Sequence, residues 1–75
     1  MVNMKLSDIY IRIKFREYLP DDLMPNGVCF VMWRTMLHVK AKKFREKGYS
    51  EELIGNWIDR SIEATAKQII KDQES

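Results

Sequence analysis

The sequence contains few cysteine, glycine and proline residues. Its 75 residues include one cysteine, three glycines and two prolines. A single cysteine cannot form a disulfide within the chain, and Cys29, between Val28 and Phe30, is typical of a small buried hydrophobe in a reducing compartment. A domain of this length buries only about 60% of the surface that its unfolded chain exposes. Its stability therefore has to come from a well-packed core or from a partner subunit.

Patterns that carry catalysis or metal binding are also missing. The single histidine, His38, is nine positions from Cys29, a spacing that matches neither a metal cluster nor a nucleophile with its base. The glycines are scattered and form no phosphate-binding loop. Asp21 and Asp22 lie in a predicted turn, where aspartate is common. We therefore expect a protein that is not an enzyme and that has no metal, no cofactor and no small-molecule substrate.

Long apolar runs are absent as well. The stretch "GVCFVMW" is far too short to span a membrane, and "MVNMKLSDIY" at the start lacks the apolar region of a signal peptide. These features predict a cytoplasmic protein that does not contact a membrane.

The charges that are present are distributed unevenly. Residues 1–47 contain ten Lys or Arg and five Asp or Glu, which gives this part a net charge of +5. Residues 48–75 contain three Lys or Arg and six Asp or Glu, which gives a net charge of −3. This asymmetry either steers a partner or draws the two parts together in the fold.

The pattern of apolar residues predicts a single, mostly α domain over residues 1–75, with a long αα-hairpin. One helix is expected over about 27–47 and the other over about 50–72, separated by a Gly48 C-cap and a Ser50 N-cap. The two predicted core stripes have three-four spacing and comprise Phe30, Trp33, Leu37, Ala41 and Phe44, and Ile54, Ile58, Ile62, Thr65 and Ile69. Residues 20–27 should form a turn, and residues 73–75 a frayed tail.

The first segment, about residues 7–19, is open to two interpretations. Ser7 is a good N-cap and Pro20 a natural stop, which favours a helix. The strict alternation in "IYIRIKF" is instead typical of a half-buried strand, which would need to pair across a dimer because no second strand is visible. We predict a helix, with a short strand as the alternative.

The segment "GVCFVMWRTML" over residues 27–37 is the main candidate for a functional surface. Its apolar side chains point all around a helix, and such a helix has to be covered on every face. Methionine and aromatic side chains are common at protein contacts. We expect a homodimer or a protein partner to be bound by Phe30, Met32, Trp33, Met36 and Leu37. The alternative is a central helix that both neighbouring elements cover.

Basic residues provide a second candidate, a nucleic-acid surface. The possible contacts are Arg12, Lys14, Lys40, Lys42, Lys43, Arg45 and Lys47. Such clusters neutralise phosphates, although positive charge is equally suited to the C-terminal end of a solvated helix.

Two DNA-binding architectures would use these charges. The stretch "FREKGYSEELIGNWIDRS" resembles the start of a helix-turn-helix unit, with Phe44, Ile54 and Ile58 at core positions. Asp59 and Arg60, however, stand where that motif normally has a glycine and an aliphatic residue.

The stretch "IYIRIKF" resembles the ribbon of ribbon-helix-helix regulators, in which a strand pairs across a dimer and lays alternate side chains in the major groove. This resemblance implies that Tyr10, Arg12 and Lys14 face DNA. The insert "REYLPDDLMPNG" is longer than the usual connection in those proteins.

The sequence thus predicts a non-enzymatic binding protein that acts through protein contacts, by self-association or by regulating a partner protein. The alternative is a dimeric DNA-binding regulator of either type.

Overall fold

The structure, a computed structural model that describes residues 3–74, contains three helices and no strand within that range. The helices are α1 (Asp8–Arg16), α2 (Gly27–Glu46) and α3 (Glu51–Glu74). Short 3₁₀ turns, Met4–Leu6 and Asp21–Leu23, precede α1 and α2. The predicted mostly α fold with a long αα-hairpin is confirmed. No helix in residues 3–74 is both long and apolar enough to cross a membrane.

The first segment is helical, so the strand alternative is wrong. Ser7 caps α1, because its Oγ accepts a hydrogen bond of 3.2 Å from the backbone N–H of Tyr10. Ile11 and Phe15, one helical turn apart, are fully buried, whereas Ile9 and Ile13 are exposed. The alternating isoleucines are thus divided between two sides of a helix. The strand that the ribbon-helix-helix interpretation requires is therefore not formed by this segment. Helix α1 is also shorter than the predicted 7–19.

The turn between α2 and α3 has the predicted glycine cap. Gly48 has a φ of +91°, and its N–H donates to the carbonyl of Arg45, while the N–H of Tyr49 donates to that of Phe44. This pair of bonds is the Schellman motif, and the rings of Phe44 and Tyr49 pack with centroids 5.4 Å apart. Ser50 then caps α3 by accepting a hydrogen bond from the N–H of Leu53.

Replacing Gly48 with alanine should lower the free energy of unfolding by about 1–2 kcal/mol, because a side chain is strained at positive φ. Urea unfolding followed by circular dichroism measures the change. Lys47→Ala is the matched control, since Lys47 is exposed at a φ of −82°. Equal stability of the two variants would contradict this account of the turn.

The core joins one face of each helix. Its buried side chains are Leu6, Ile11, Phe15, Leu19, Phe30, Leu37, Ala41, Ile54, Ile58, Ile62 and Ala66. Most residues of the two predicted stripes are buried as expected, and Ala66 takes an inward position that was not predicted. The stripe residues that are only half-buried are Trp33, Phe44, Thr65 and Ile69.

Helix α3 is unbroken from Glu51 to Glu74. The second turn that a helix-turn-helix unit requires is therefore not present in this helix, and α2 and α3 form a plain helical hairpin. The helix also continues through positions 73 and 74, where the sequence predicts fraying, and Ser75 lies outside the described residues.

Candidate functional site: the outer face of α2

The structure divides the predicted contact residues between the core and the surface. Met32 and Met36 are 66% and 50% exposed. Phe30 and Leu37 belong to the core, at 2% and 4% exposure, so they cannot contact a partner in this fold. Trp33 is half-buried: its indole Nε1 donates to Thr65 Oγ1 at 3.1 Å. Only the two methionines of the predicted set lie fully on the exposed side.

A second apolar stripe runs along α2 on the side opposite to the core. Met32 and Met36 are joined there by Val28, Val31 and Val39, which are 73%, 50% and 49% exposed. The exposed Thr35 lies among them. We call this surface, made of Val28, Val31, Met32, Thr35, Met36 and Val39, the outer face of α2.

Helical geometry explains why one helix has two apolar sides. At 100° per residue, Met32 and Val39 lie within about 20° of each other and roughly opposite Phe30 and Leu37. Helix α3 and the 3₁₀ turn Met4–Leu6 pack against the inner side of α2, where Arg12 and Phe15 of α1 also meet Phe30 and Trp33. The alternative of a central helix that both neighbouring elements cover is thus true of one side of α2 only. Sequence reasoning missed the three valines, although the three-four spacing that they form together with Met32 and Met36 is a detectable signal of a second stripe.

The basic end of α2 is also exposed. Lys40, Lys42, Lys43 and Lys47 face solvent, and within residues 3–74 none of their ammonium groups is paired with a carboxylate. These lysines therefore remain free to contact an anionic surface.

Arg45 differs from those lysines because it serves the fold. Its Nε and Nη2 donate to the two carboxylate oxygens of Glu51 at 2.6 and 2.9 Å. These bonds raise the pKa of Arg45 and lower that of Glu51. Asn3 also donates to Glu51, from its Nδ2 to Oε1 at 3.3 Å. The arginine is thereby engaged in tying the end of α2 to the start of α3.

The basic residues of α1 do not join those of α2. The Arg12 guanidinium lies 4.3 Å from the ring centroid of Phe30, and Lys14 is paired with Glu17 at 3.0 Å, a hydrogen bond that raises the pKa of the lysine. Lys43 is thirteen residues beyond Phe30, or about 20 Å along the helix. The predicted nucleic-acid residues thus form two separate groups.

A cluster of ionisable side chains that sequence reasoning missed connects the first segment to α3. Asp59 accepts hydrogen bonds from Lys5 Nζ at 2.7 Å and from the Tyr10 hydroxyl at 2.5 Å. The Lys5 stem passes over the buried Gly55, where an added Cβ would come within 3.2 Å of the Lys5 Cδ. Residues 49 and 54 positions apart in the sequence meet here, and no local pattern predicts that.

Near neutral pH, Tyr10 is neutral and Asp59 is ionised. Burial, with the hydrogen bond to Asp59 adding to it, raises the pKa of Tyr10 to about 12. Burial tends to raise the pKa of Asp59, but the hydrogen bonds from Lys5 and Tyr10 outweigh it and the pKa is lowered. A neutral phenol and a lysine therefore donate to an ionised carboxylate, an arrangement suited to holding α1 against α3.

An apolar hollow of about 260 Å³ opens beside the turn between α2 and α3. It is lined by Phe44, Tyr49, Leu53, Ile54 and Trp57. Phe44 meets Trp57 edge to face with centroids 5.1 Å apart. The hollow contains none of the residues that the sequence predicted as contacts.

The remaining candidate residues are not grouped. Cys29 is exposed, so the expectation of a buried thiol is wrong. His38 is half-buried. Within residues 3–74, no three His, Cys, Asp or Glu side chains are arranged to hold a metal ion.

Comparisons with protein-family models, with curated proteins and with solved structures found no match to this chain.

Proposed function

We propose that this chain is a small binding protein that works through protein contacts on the outer face of α2. One observation carries the proposal: five large apolar side chains are about half or more exposed along one side of a helix whose opposite side already fills the core. Single exposed hydrophobic residues are ordinary, but a contiguous stripe marks an interaction surface.

The energetics support a protein partner for this face. Burial of a valine or methionine side chain contributes about 1.5–3 kcal/mol, and here such burial is only partial within the chain. Methionine adapts its shape to different partner surfaces. A cytoplasmic location is part of the proposal, since the exposed thiol of Cys29 is kept reduced in that compartment.

The variant Met32→Glu/Met36→Glu tests this function. The two charges on the outer face should weaken the affinity for a partner at least tenfold, because the carboxylates would have to be desolvated at the contact. The immobilised wild-type chain and the immobilised variant are incubated with the same protein mixture, to which untagged chain has been added. The measurement compares the proteins that each of them retains. Circular dichroism establishes that the variant is folded.

Ile9→Glu/Ile13→Glu is the matched control. This pair has the same spacing and exposures of 74% and 52%, but it lies on α1. Retained proteins lost only with the α2 variant would support the proposal. Identical retention by the wild type and both variants would refute it.

A second candidate function is nucleic-acid binding by the free lysines of α2. Duplex DNA should then bind with an affinity that falls steeply as salt rises, and Lys43→Glu should reduce the slope of log K against log salt by about 1 or more. Lys71→Glu, at the exposed end of α3, is the control with the same charge change. Fluorescence anisotropy at low salt measures both, and no binding to any duplex would end this alternative.

A further inference from the structure

We propose that the apolar hollow beside the turn between α2 and α3 binds an acidic segment of a partner protein, which inserts one large apolar side chain. The hollow is lined by Phe44, Tyr49, Leu53, Ile54 and Trp57. It is separate from the outer face of α2, so this inference goes beyond the function proposed above and does not depend on it. Accessible apolar walls and unpaired cations on both sides of the hollow support it.

The walls of the hollow are apolar and accessible. Tyr49 and Leu53 are exposed, and the rings of Phe44 and Trp57 are half-buried. These two rings meet at 78°, edge to face, so they form two walls rather than one flat surface. The volume of about 260 Å³ is below the roughly 300–1,000 Å³ of small-molecule pockets, and it suits a single inserted side chain.

The first segment covers one side of the helical hairpin, and the hollow lies on the other. At 100° per residue, Gly55 lies about 100° to one side of the buried Ile54, under the stem of Lys5. Leu53 and Trp57 lie about 60–100° to the other side of Ile54. The walls that α3 contributes therefore face away from the first segment.

Two lysines of α2 lie on the side of the hairpin that contains the hollow. Arg45 lies about 100° to one side of Phe44, and its partner Glu51 also accepts a hydrogen bond from the first segment. Lys40 and Lys47, four residues before Phe44 and three after it, lie about 40° and 60° to the other side. The two lysines therefore flank the wall that Phe44 forms.

Arg60 adds positive charge on the α3 side of the hollow. It follows Trp57 by three residues and Leu53 by seven, so it lies within about 60° and 20° of them around the helix. Lys40, Lys47 and Arg60 are all exposed, and in the described part of the chain none of them is paired with a carboxylate. Cations thus stand unpaired on both helices that border the hollow.

The acidic residues near the turn point elsewhere. Glu46 lies about 160° from Phe44 around α2, and Glu52 lies about 160° from Ile54 around α3. Glu51 is held in its ion pair on the side of the first segment. The electrostatic potential around the hollow is therefore positive, which attracts an anionic ligand.

The spread of the cations favours a peptide over a small anion. Lys40 and Lys47 are seven residues apart, or about 10 Å along α2, and Arg60 is on the other helix. A single carboxylate pairs with cations only within about 4 Å, so it cannot reach all three. An extended segment advances about 3.3 Å per residue, so acidic residues on both sides of an apolar one can.

The apolar lining also favours a peptide over a nucleic acid. Phosphates would suit the same cations, but a base inserted between these walls would bury polar ring atoms without hydrogen-bond partners. An aliphatic or aromatic side chain has no such cost. The ligand class is therefore an acidic peptide segment with one large apolar residue at its centre.

A fluorescein-labelled peptide with a central leucine and glutamates on both sides is the probe. Fluorescence anisotropy at low salt should show binding with a dissociation constant on the order of 10–100 µM, because this contact is far smaller than standard interfaces. Serine in place of the leucine in the peptide should weaken binding at least tenfold. Equal binding of the two peptides, or no binding at about 1 mM chain, would overturn the proposal.

Leu53→Glu tests the hollow itself. A carboxylate on this wall should weaken peptide binding at least tenfold, because it repels the peptide and would have to be desolvated. Ile9→Glu is the matched control, since it makes the same charge change at an exposed position of α1. Circular dichroism establishes that both variants are folded. Equal affinities of the two variants for the peptide would overturn the hollow as the site.

Lys40→Glu and Arg60→Glu test the cations on the two helices. Each should weaken peptide binding several-fold at low salt, and the difference from the wild type should shrink as salt screens the charges. Lys71→Glu makes the same charge change at the far end of α3 and should have a smaller effect. Equal effects of all three variants would overturn the role of these cations.

Competition separates an acidic peptide from other anions. Octanoate, which has one carboxylate on an alkyl chain, and single-stranded oligothymidylate should each displace the labelled peptide at least tenfold less effectively than the unlabelled peptide does. Displacement by octanoate at the same concentration would identify a small amphiphilic anion as the ligand. Displacement by oligothymidylate would identify a nucleic acid. Either result would overturn the peptide as the partner of the hollow.

Discussion

Phe15→Ala should destabilise the fold by about 3–5 kcal/mol, which is the usual cost of removing a buried phenylalanine. Phe15 is fully buried, and its ring packs against that of Trp33 with centroids 5.1 Å apart. A domain of 75 residues has a free energy of unfolding of roughly 4–11 kcal/mol. The substitution therefore removes a large share of the total, and part of the population should be unfolded at 37 °C.

Urea unfolding followed by tryptophan fluorescence measures this loss, since Trp33 contacts the altered site. Ile13→Ala is the matched control: it lies on the same helix but is 52% exposed, and it should change stability by less than about 0.5 kcal/mol. Similar unfolding midpoints for the two variants would show that α1 does not contribute to the core as described.

Asp59→Ala should lower the free energy of unfolding by about 1–2 kcal/mol. It leaves the Lys5 ammonium and the Tyr10 hydroxyl without their shared acceptor. The loss is at the lower end for charged hydrogen bonds, because the Lys5 and Asp59 side chains are 34% and 31% exposed and water replaces part of the interaction. The control is Asp22→Ala, at an exposed turn position. Equal stability of both variants would contradict a stabilising role for the cluster.

The same cluster predicts loss of stability in acid. The folded-state pKa of Asp59 is lower than its ordinary value, so its contribution is present above the unfolded-state pKa of about 4. It is lost as the pH falls through the lowered folded-state pKa. Asp59→Asn cannot ionise, so the difference in stability between wild type and this variant should shrink from about pH 5 to about pH 2. A constant difference would contradict the assignment.

The stability that Tyr10 contributes changes with pH in the opposite direction to that of Asp59. Its folded-state pKa of about 12 exceeds the ordinary 10.0, so its contribution is complete below pH 10 and is lost as the pH rises toward 12. Tyr10→Phe should lack this alkaline loss. Absorbance titration of the phenolate, compared between the wild type and Tyr10→Phe, measures the ionisation directly.

The helical hairpin was predictable because its signals are local. Gly48 at the C-cap, Ser50 at the N-cap and apolar residues at three-four spacing each act within one or two turns, and the structure has them in the predicted places. The first segment was harder to assign, since "IYIRIKF" fits both periods. Burial of Ile11 and Phe15 against the other helices decides for the helix.

The candidate surface was only partly predictable for a related reason. Every apolar residue of α2 has a suitable character for a contact, and a sequence does not say which side of an apolar helix its neighbours cover. Phe30 and Leu37 turned out to face the core, whereas Met32 and Met36 face outward with three valines that had not been singled out.

The sequence by itself determined the mostly α class, the caps and the two core stripes, because these depend on residues a few positions apart. Only the tertiary structure decided which side of α2 remains uncovered, and that Lys5 and Tyr10 meet Asp59. Both depend on how the helices pack, which brings together side chains about fifty positions apart that share no periodic relationship in the chain.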